Sequence, residues 1–159
     1  MRSGGANGAD KTFEEGCDLG KGKKEIYLPW KGFNGNQSQL YYGSNFISKD
    51  IKDKSFEIAE QYHPNWSYLS DAATHLIARN GFQVLGVDLE SPVGMMLYWH
   101  PPFKSGGTGQ AIRIALDKNI IIFNVGLKQD RVGLSEYIKE DLSFLETDLT
   151  YNLITEKWE

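Results

Sequence analysis

One cysteine, Cys17, stands in the whole chain, so no disulfide can form within it. That usage fits a reducing compartment. The three histidines are scattered and the cysteine has no partner, so no metal-ligand spacing arises and neither metal nor cofactor is called for. No apolar run approaches the roughly 20 residues that cross a bilayer. The first residues are glycine-rich and polar, without the apolar core of a signal peptide. These features predict a cytoplasmic protein with no membrane partner, in a cell or in an infected bacterial host. An excess of positive charge is also missing. The net charge of −4 argues against a dominant nucleic-acid footprint, although a local basic patch can survive it. No low-complexity tract occurs.

What is present reads as one domain over residues 1–159, with 40% hydrophobic residues to build its core. The stretch Ser105–Val125 organises it. A glycine-rich turn, Ser105-Gly106-Gly107-Thr108-Gly109, runs into a helical pattern whose Ala111, Ile112, Ala115 and Leu116 share an apolar face. Asn119 follows, at the place of a left-handed helix cap. Ile120–Phe123 is then a β-branched apolar run, the pattern of a strand buried on both faces. A second unit of the same kind opens the chain. Ser3-Gly4-Gly5-Ala6-Asn7-Gly8-Ala9-Asp10 leads through Lys11–Cys17 to Glu25–Leu28, a strand ended by Pro29. No strand is read ahead of this first loop. Two such loops at the carboxyl ends of parallel strands face one crevice, where open α/β sheets bind ligands. Glycines let a backbone approach an anion, and helix N-termini favour phosphate; a tight turn without ligand is the plainer reading.

Between the units, Asn34–Ser48 reads as a long polar loop. Its Tyr41, Tyr42 and Phe46 either stack on a base or pack the loop down, packing being the commoner role. Ser55 is placed as the cap of a helix running to Tyr62, which His63-Pro64 breaks. Trp66–Ala78 is read as one helix, and Val93–Trp99 as an interior strand. Gly126–Gly133 reads as a polar connection, Leu134 to Leu145 as a helix and Tyr151–Ile154 as a final short strand. Arg79 beside an apolar stretch is either a phosphate clamp or a snorkelling surface residue. His100 is a candidate general acid or base, with a surface histidine the plainer identity.

Three motifs in order, SGGANGAD at Ser3–Asp10, Ala78-Arg79-Asn80 with Val84-Leu85-Gly86, and SGGTGQAIRIA at Ser105–Ala115, resemble the SLOG superfamily. It joins the Rossmann-like domain of DNA-processing protein A with the Lonely-guy phosphoribohydrolases. The chain is most similar to its small stand-alone members, often phage-encoded. The resemblance spans residues 3–125 and implies a Rossmann-like three-layer α/β sandwich with a mostly parallel sheet. It implies ligand binding by Ser3, Gly4, Gly5, Ala6, Asp10, Arg79, Asn80, Gly106, Gly107, Thr108 and Gly109. It also implies a homodimer or higher homo-oligomer, and the apolar content of Trp66–Leu85 is expected to supply part of that interface. The Lonely-guy pattern Pro-Gly-Gly-x-Gly-Thr-x-x-Glu is not kept: Ser105, Gln110 and Arg113 replace its proline, threonine and glutamate. A cation at the glutamate position cannot stabilise a developing oxocarbenium ion, which argues against that activity. The family's N-terminal strand is also missing from the pattern.

The motifs leave three readings, in this order. The first is a binding module for a nucleotide or nucleotide-derived phosphate. The second is a nucleotide N-glycosidase in which Asp10, Glu14 or His100 replaces the glutamate. The third is a single-stranded DNA binder using Lys21, Lys23, Lys24, Lys31 and Arg79.

Overall fold

In the computed structural model, residues 1–99 and 106–140 are described, together with 151–152 and 157–158 as strands. The first glycine-rich loop does hang from a strand: Arg2–Ser3 (β1) pairs in parallel with Glu25–Leu28 (β2). Two residues are too few for an alternating pattern, so this strand leaves no periodic signal. Cross-strand contacts hold it. Arg2 Nε lies 2.8 Å from Glu25 Oε2, and the Met1 ammonium donates to the Lys23 carbonyl. Between β1 and β2 lies helix α1, Ala9–Leu19. The expected long loop contains a 3-10 turn at Phe33–Gly35 and a strand, Leu40–Tyr41 (β3), which pairs in parallel with β2.

Helix α2 spans Lys49–Tyr62 and is capped by Ser48, whose Oγ accepts from the Ile51 N–H. Ser55 is not a cap. It is buried about two turns further in, where its hydroxyl meets the Tyr42 hydroxyl at 2.8 Å. The Trp66–Ala78 pattern divides into a 3-10 turn, Trp66–Tyr68, and helix α3, Asp71–Ala78. Ser70 caps α3 by accepting from Ala73 N–H, and its preference for non-helical backbone splits the pattern. Helix α4, Asn80–Leu85, follows at once. Strand β4, Met95–Tyr98, pairs in parallel with β5, Ile121–Asn124, across helix α5, Gly106–Asp117. Helix α6, Lys128–Ile138, begins inside the stretch read as a polar connection. The helix expected to run on to Leu145 stops at Ile138, where Lys139 takes a left-handed φ of +58° that ends it; residues 141–145 lie outside the described residues. Tyr151–Asn152 (β6) pairs antiparallel with Lys157–Trp158 (β7).

The architecture is a Rossmann-like α/β sandwich with parallel strands and helices packed around them. Among the described residues, strands β4 and β5 are not interior: they form a two-stranded sheet, β4 is half-buried throughout and Ile121 is 43% exposed. Leu116, assigned to the apolar face of α5, is exposed, whereas Ile114 is buried. Asn119 does cap α5: its φ is +55°, and the Ile120 and Asn119 N–H groups donate back to the Ala115 and Leu116 carbonyls.

The core is where α2, α3, α4 and α5 pack together and α4 covers β1 and β2. Phe82 and Tyr27 stack there with centroids 5.5 Å apart, and Tyr42 packs on Phe82, Phe56 and His75. Packing is thus the role of Tyr42, and Phe46 is exposed. Ile77, Ala78, Phe82, Val84 and Leu85 are buried within this chain, so the apolar content of that region serves the core of its own domain.

Phe82→Ala is expected to cost about 3–5 kcal/mol of unfolding free energy, read by denaturant titration. A second expectation concerns pH. Burial and the nearby Arg113 charge hold the His63 imidazole below its ordinary value of 6.5. The unfolded chain then binds a proton that the folded chain resists. The stability that neutral His63 contributes is full above the ordinary value and is lost as pH falls through the lowered one. The melting temperature should fall on acidification from about pH 7.5 to about 5.5, and His63→Gln should flatten that segment.

Candidate functional site

The first glycine-rich loop leaves β1 with its N–H groups turned inward, and the chain supplies the anion they hold. Gly4 N–H and Ala6 N–H both donate to Asp10 Oδ2, each at 3.2 Å. Gly5 takes φ +65°, where a side chain would be strained, and a Cβ there would lie 2.9 Å from Leu28 Cδ2. Asn34 Nδ2 donates to the Gly5 carbonyl from the β2–β3 connection. Ser3 is buried, and its hydroxyl donates to the buried Glu14 at 2.7 Å.

Gly4 is needed for a different reason. A Cβ on it would lie 1.0 Å from Arg79 Nη1, so the guanidinium occupies the space a side chain would take. Arg79 sits at the junction of α3 and α4 and is only 5% exposed. Its Nη1 donates to Gln83 Oε1 at 3.1 Å and lies 3.6 Å from Asp10 Oδ2. Its guanidinium carbon is 5.9 Å from the Phe33 ring centroid, within cation–π range. Burial pulls its pKa below the ordinary value, and the Asp10 carboxylate opposes that. Its Nε is buried without a hydrogen-bond partner. Asn80, the next residue, is buried and donates from Nδ2 to the Gly107 carbonyl at 3.1 Å.

The second glycine-rich stretch is the first turn of α5. Gly106 takes φ +58°, and a Cβ on Gly107 would lie 2.8 Å from Asn80 Nδ2. Gly107 therefore lets Asn80 approach. The first N–H groups of a helix have no partner inside it, and its dipole favours an anion. Thr108 is half-buried, and its hydroxyl makes no hydrogen bond among the described residues. Gln110 is fully buried, with both amide atoms unpartnered.

These segments wall one crevice of about 1110 Å³. Ser3, Ala6, Asp10, Arg79, Asn80, Gly107 and Thr108 line it. Gly4, Gly5, Gly106 and Gly109 are not among its lining residues: Gly4 lies under Arg79, and Gly109 is buried in α5. Sequence reasoning missed the opposite wall, Met95–Trp99, with Phe13 and Tyr137. It also missed Gln83, which steadies Arg79. A half-buried apolar strand and one glutamine carry no motif, so neither could be assigned to the site without the fold. A smaller hollow of about 500 Å³, walled by Trp30, Tyr42, Lys52 and His75, shares none of these residues.

The other candidates fall elsewhere. Glu14 is bound to Ser3 and does not line the crevice. Arg113 donates from Nε to the Tyr62 carbonyl at 2.6 Å, closing the end of α2. Lys21, Lys23, Lys24 and Lys31 do not line the crevice, and Lys24 pairs with Asp18. His100 and Ser105 lie outside the described residues. No group of three or more potential metal ligands occurs among the described residues, and no helix there is long and apolar enough to cross a membrane. Comparison with known protein families, with curated proteins and with solved structures found no match.

The overlap of Gly4 and Arg79 is open to a double-mutant cycle. Gly4→Ala is expected to cost about 1–3 kcal/mol by overpacking against the buried guanidinium. In Arg79→Ala that space is vacated, so the double variant should be more stable than the two single losses added together. Additive losses in chemical denaturation would disprove the contact.

Proposed function

We propose that the crevice binds a nucleotide or nucleotide-derived ligand through one phosphate, held at the first turn of α5. One observation carries this reading. Three segments distant in the chain, at Asp10, Arg79–Asn80 and Gly107–Thr108, wall a single crevice whose other side is apolar and aromatic. A few convergent polar groups on an apolar cavity are the usual composition of a small-molecule site. The phosphate would take the free N–H groups of α5 and the Thr108 hydroxyl. Arg79, which lines the crevice, would add its positive charge beside the phosphate. Met95, Leu97, Tyr98 and Trp99 would cover the base. The order of the three motifs, which resembles the SLOG superfamily, supports the same class of ligand.

An N-glycosidase reading draws support from Asp10, the one carboxylate on the crevice wall among the described residues. The DNA reading draws less, because its four lysines stand away from the crevice.

A thermal-shift screen of nucleoside 5′-phosphates is the first test. A ligand at about 100 times its Kd should stabilise the fold by about 2.7 kcal/mol. Arg79→Ala should weaken binding by about 1.5–3 kcal/mol and Thr108→Ala by about 0.5–1.5 kcal/mol, read by calorimetric titration. Unchanged affinity in both folded variants would remove the crevice as the site. Release of free base during the titration would turn the reading towards the enzyme.

A further inference from the structure

We propose that Asp10 determines which ligands the crevice accepts, admitting a hydroxyl or amine donor at the first loop and excluding a second phosphate there. This rests on the nucleotide reading above and adds a restriction that the two glycine-rich loops alone would not suggest. A pair of such loops invites the expectation of two phosphates, one on each. The geometry divides the labour. The N–H groups of Gly4 and Ala6 are already saturated by Asp10 Oδ2, which also faces Arg79 Nη1 at 3.6 Å. An anion arriving at this loop meets a carboxylate where it would need donors, and like charges at such range repel. Asp10 Oδ1 takes no hydrogen bond among the described residues, while Asp10 lines the crevice. An ionised carboxylate oxygen accepts and does not donate, so its natural partner is a hydroxyl or amine of the ligand.

The α5 end differs. Thr108 carries a free hydroxyl there, and no carboxylate of the described residues lines that end of the crevice. The site is therefore built for a ligand anionic at one end and donor-bearing at the other. A nucleoside 5′-phosphate, with its phosphate on α5 and its sugar hydroxyls towards Asp10, has that polarity. The same nucleoside with a 3′-phosphate as well would place a dianion against Asp10.

The test titrates the wild-type chain with adenosine 5′-monophosphate and with adenosine 3′,5′-bisphosphate by calorimetry, then repeats both with Asp10→Asn. The wild type is expected to bind the monophosphate at least about tenfold more tightly. Asp10→Asn removes the negative charge at similar size and should shrink that preference to about threefold or less, chiefly by strengthening the bisphosphate. Equal binding of the two ligands by the wild type, or a preference that survives Asp10→Asn, would overturn the role given to Asp10 and leave the nucleotide site standing. If the wild type binds no nucleoside 5′-phosphate at all, the nucleotide reading fails and this proposal falls with it. Where Asp10→Asn is poorly folded, Asp10→Ser removes the same charge and is read in its place.

Discussion

A guanidinium lying in the place of a missing side chain is the constraint on which the site depends. Arg79 is almost fully buried, and a buried cation is tolerated only with partners. Each partner comes from a different part of the chain. Asp10 is the counter-charge, Gln83 accepts from Nη1, and the Phe33 ring flanks the plane. To reach them the side chain passes over Gly4, where even a methyl group would collide with it. Fixing this one cation thus fixes the first loop, the start of α4 and the turn after β2 relative to one another. Asn80 extends the arrangement through Gly107 to α5.

A buried ion pair is weak evidence for stability, because desolvating both ions offsets most of their attraction. The stability of the fold rests instead on the aromatic cluster of Tyr27, Tyr42, Phe56 and Phe82 and on the packing of α2 to α5 around it. What the Arg79–Asp10 pair supplies is position. It holds a positive and a negative group at fixed places on a crevice wall, and it leaves Nε of one and Oδ1 of the other without protein partners. Groups held in that way lose little further freedom when a ligand arrives.

How far the sequence foretold this differs from element to element. The unit from α5 to β5 was legible, including its left-handed cap, because an asparagine after a periodic run has few other uses. The parallel α/β class followed from two such units. The caps of α2 and α3 were not read: Ser55, followed directly by Phe56, took the place of Ser48, and only packing shows that Ser55 faces Tyr42. β1 and β3, two residues each, lie below the length at which any period can be seen. Ile120–Phe123 has the composition of a doubly covered strand, yet Ile121 is exposed, because composition cannot report how many strands stand beside it. In the site, seven of the eleven residues singled out line one crevice. The four others are glycines: Gly4 lies under Arg79, Gly5 against Leu28 and Gly109 inside α5, while Gly106 is exposed with a positive φ.

The two glycine-rich stretches look alike as sequence and differ as chemistry, and the reason is local. A glycine is selected wherever something must come close, and sequence does not say what comes. At Gly4 it is the protein's own arginine; at Gly5 it is a left-handed turn against Leu28; at Gly107 it is the amide of Asn80. None of the three is bare in order to admit a ligand. On the reading proposed above an anion would take the N–H groups of the first turn of α5, onto which no acidic side chain of the described residues folds back as Asp10 does onto Gly4 and Ala6. A single aspartate six residues after Gly4 thus satisfies the first loop from within the chain.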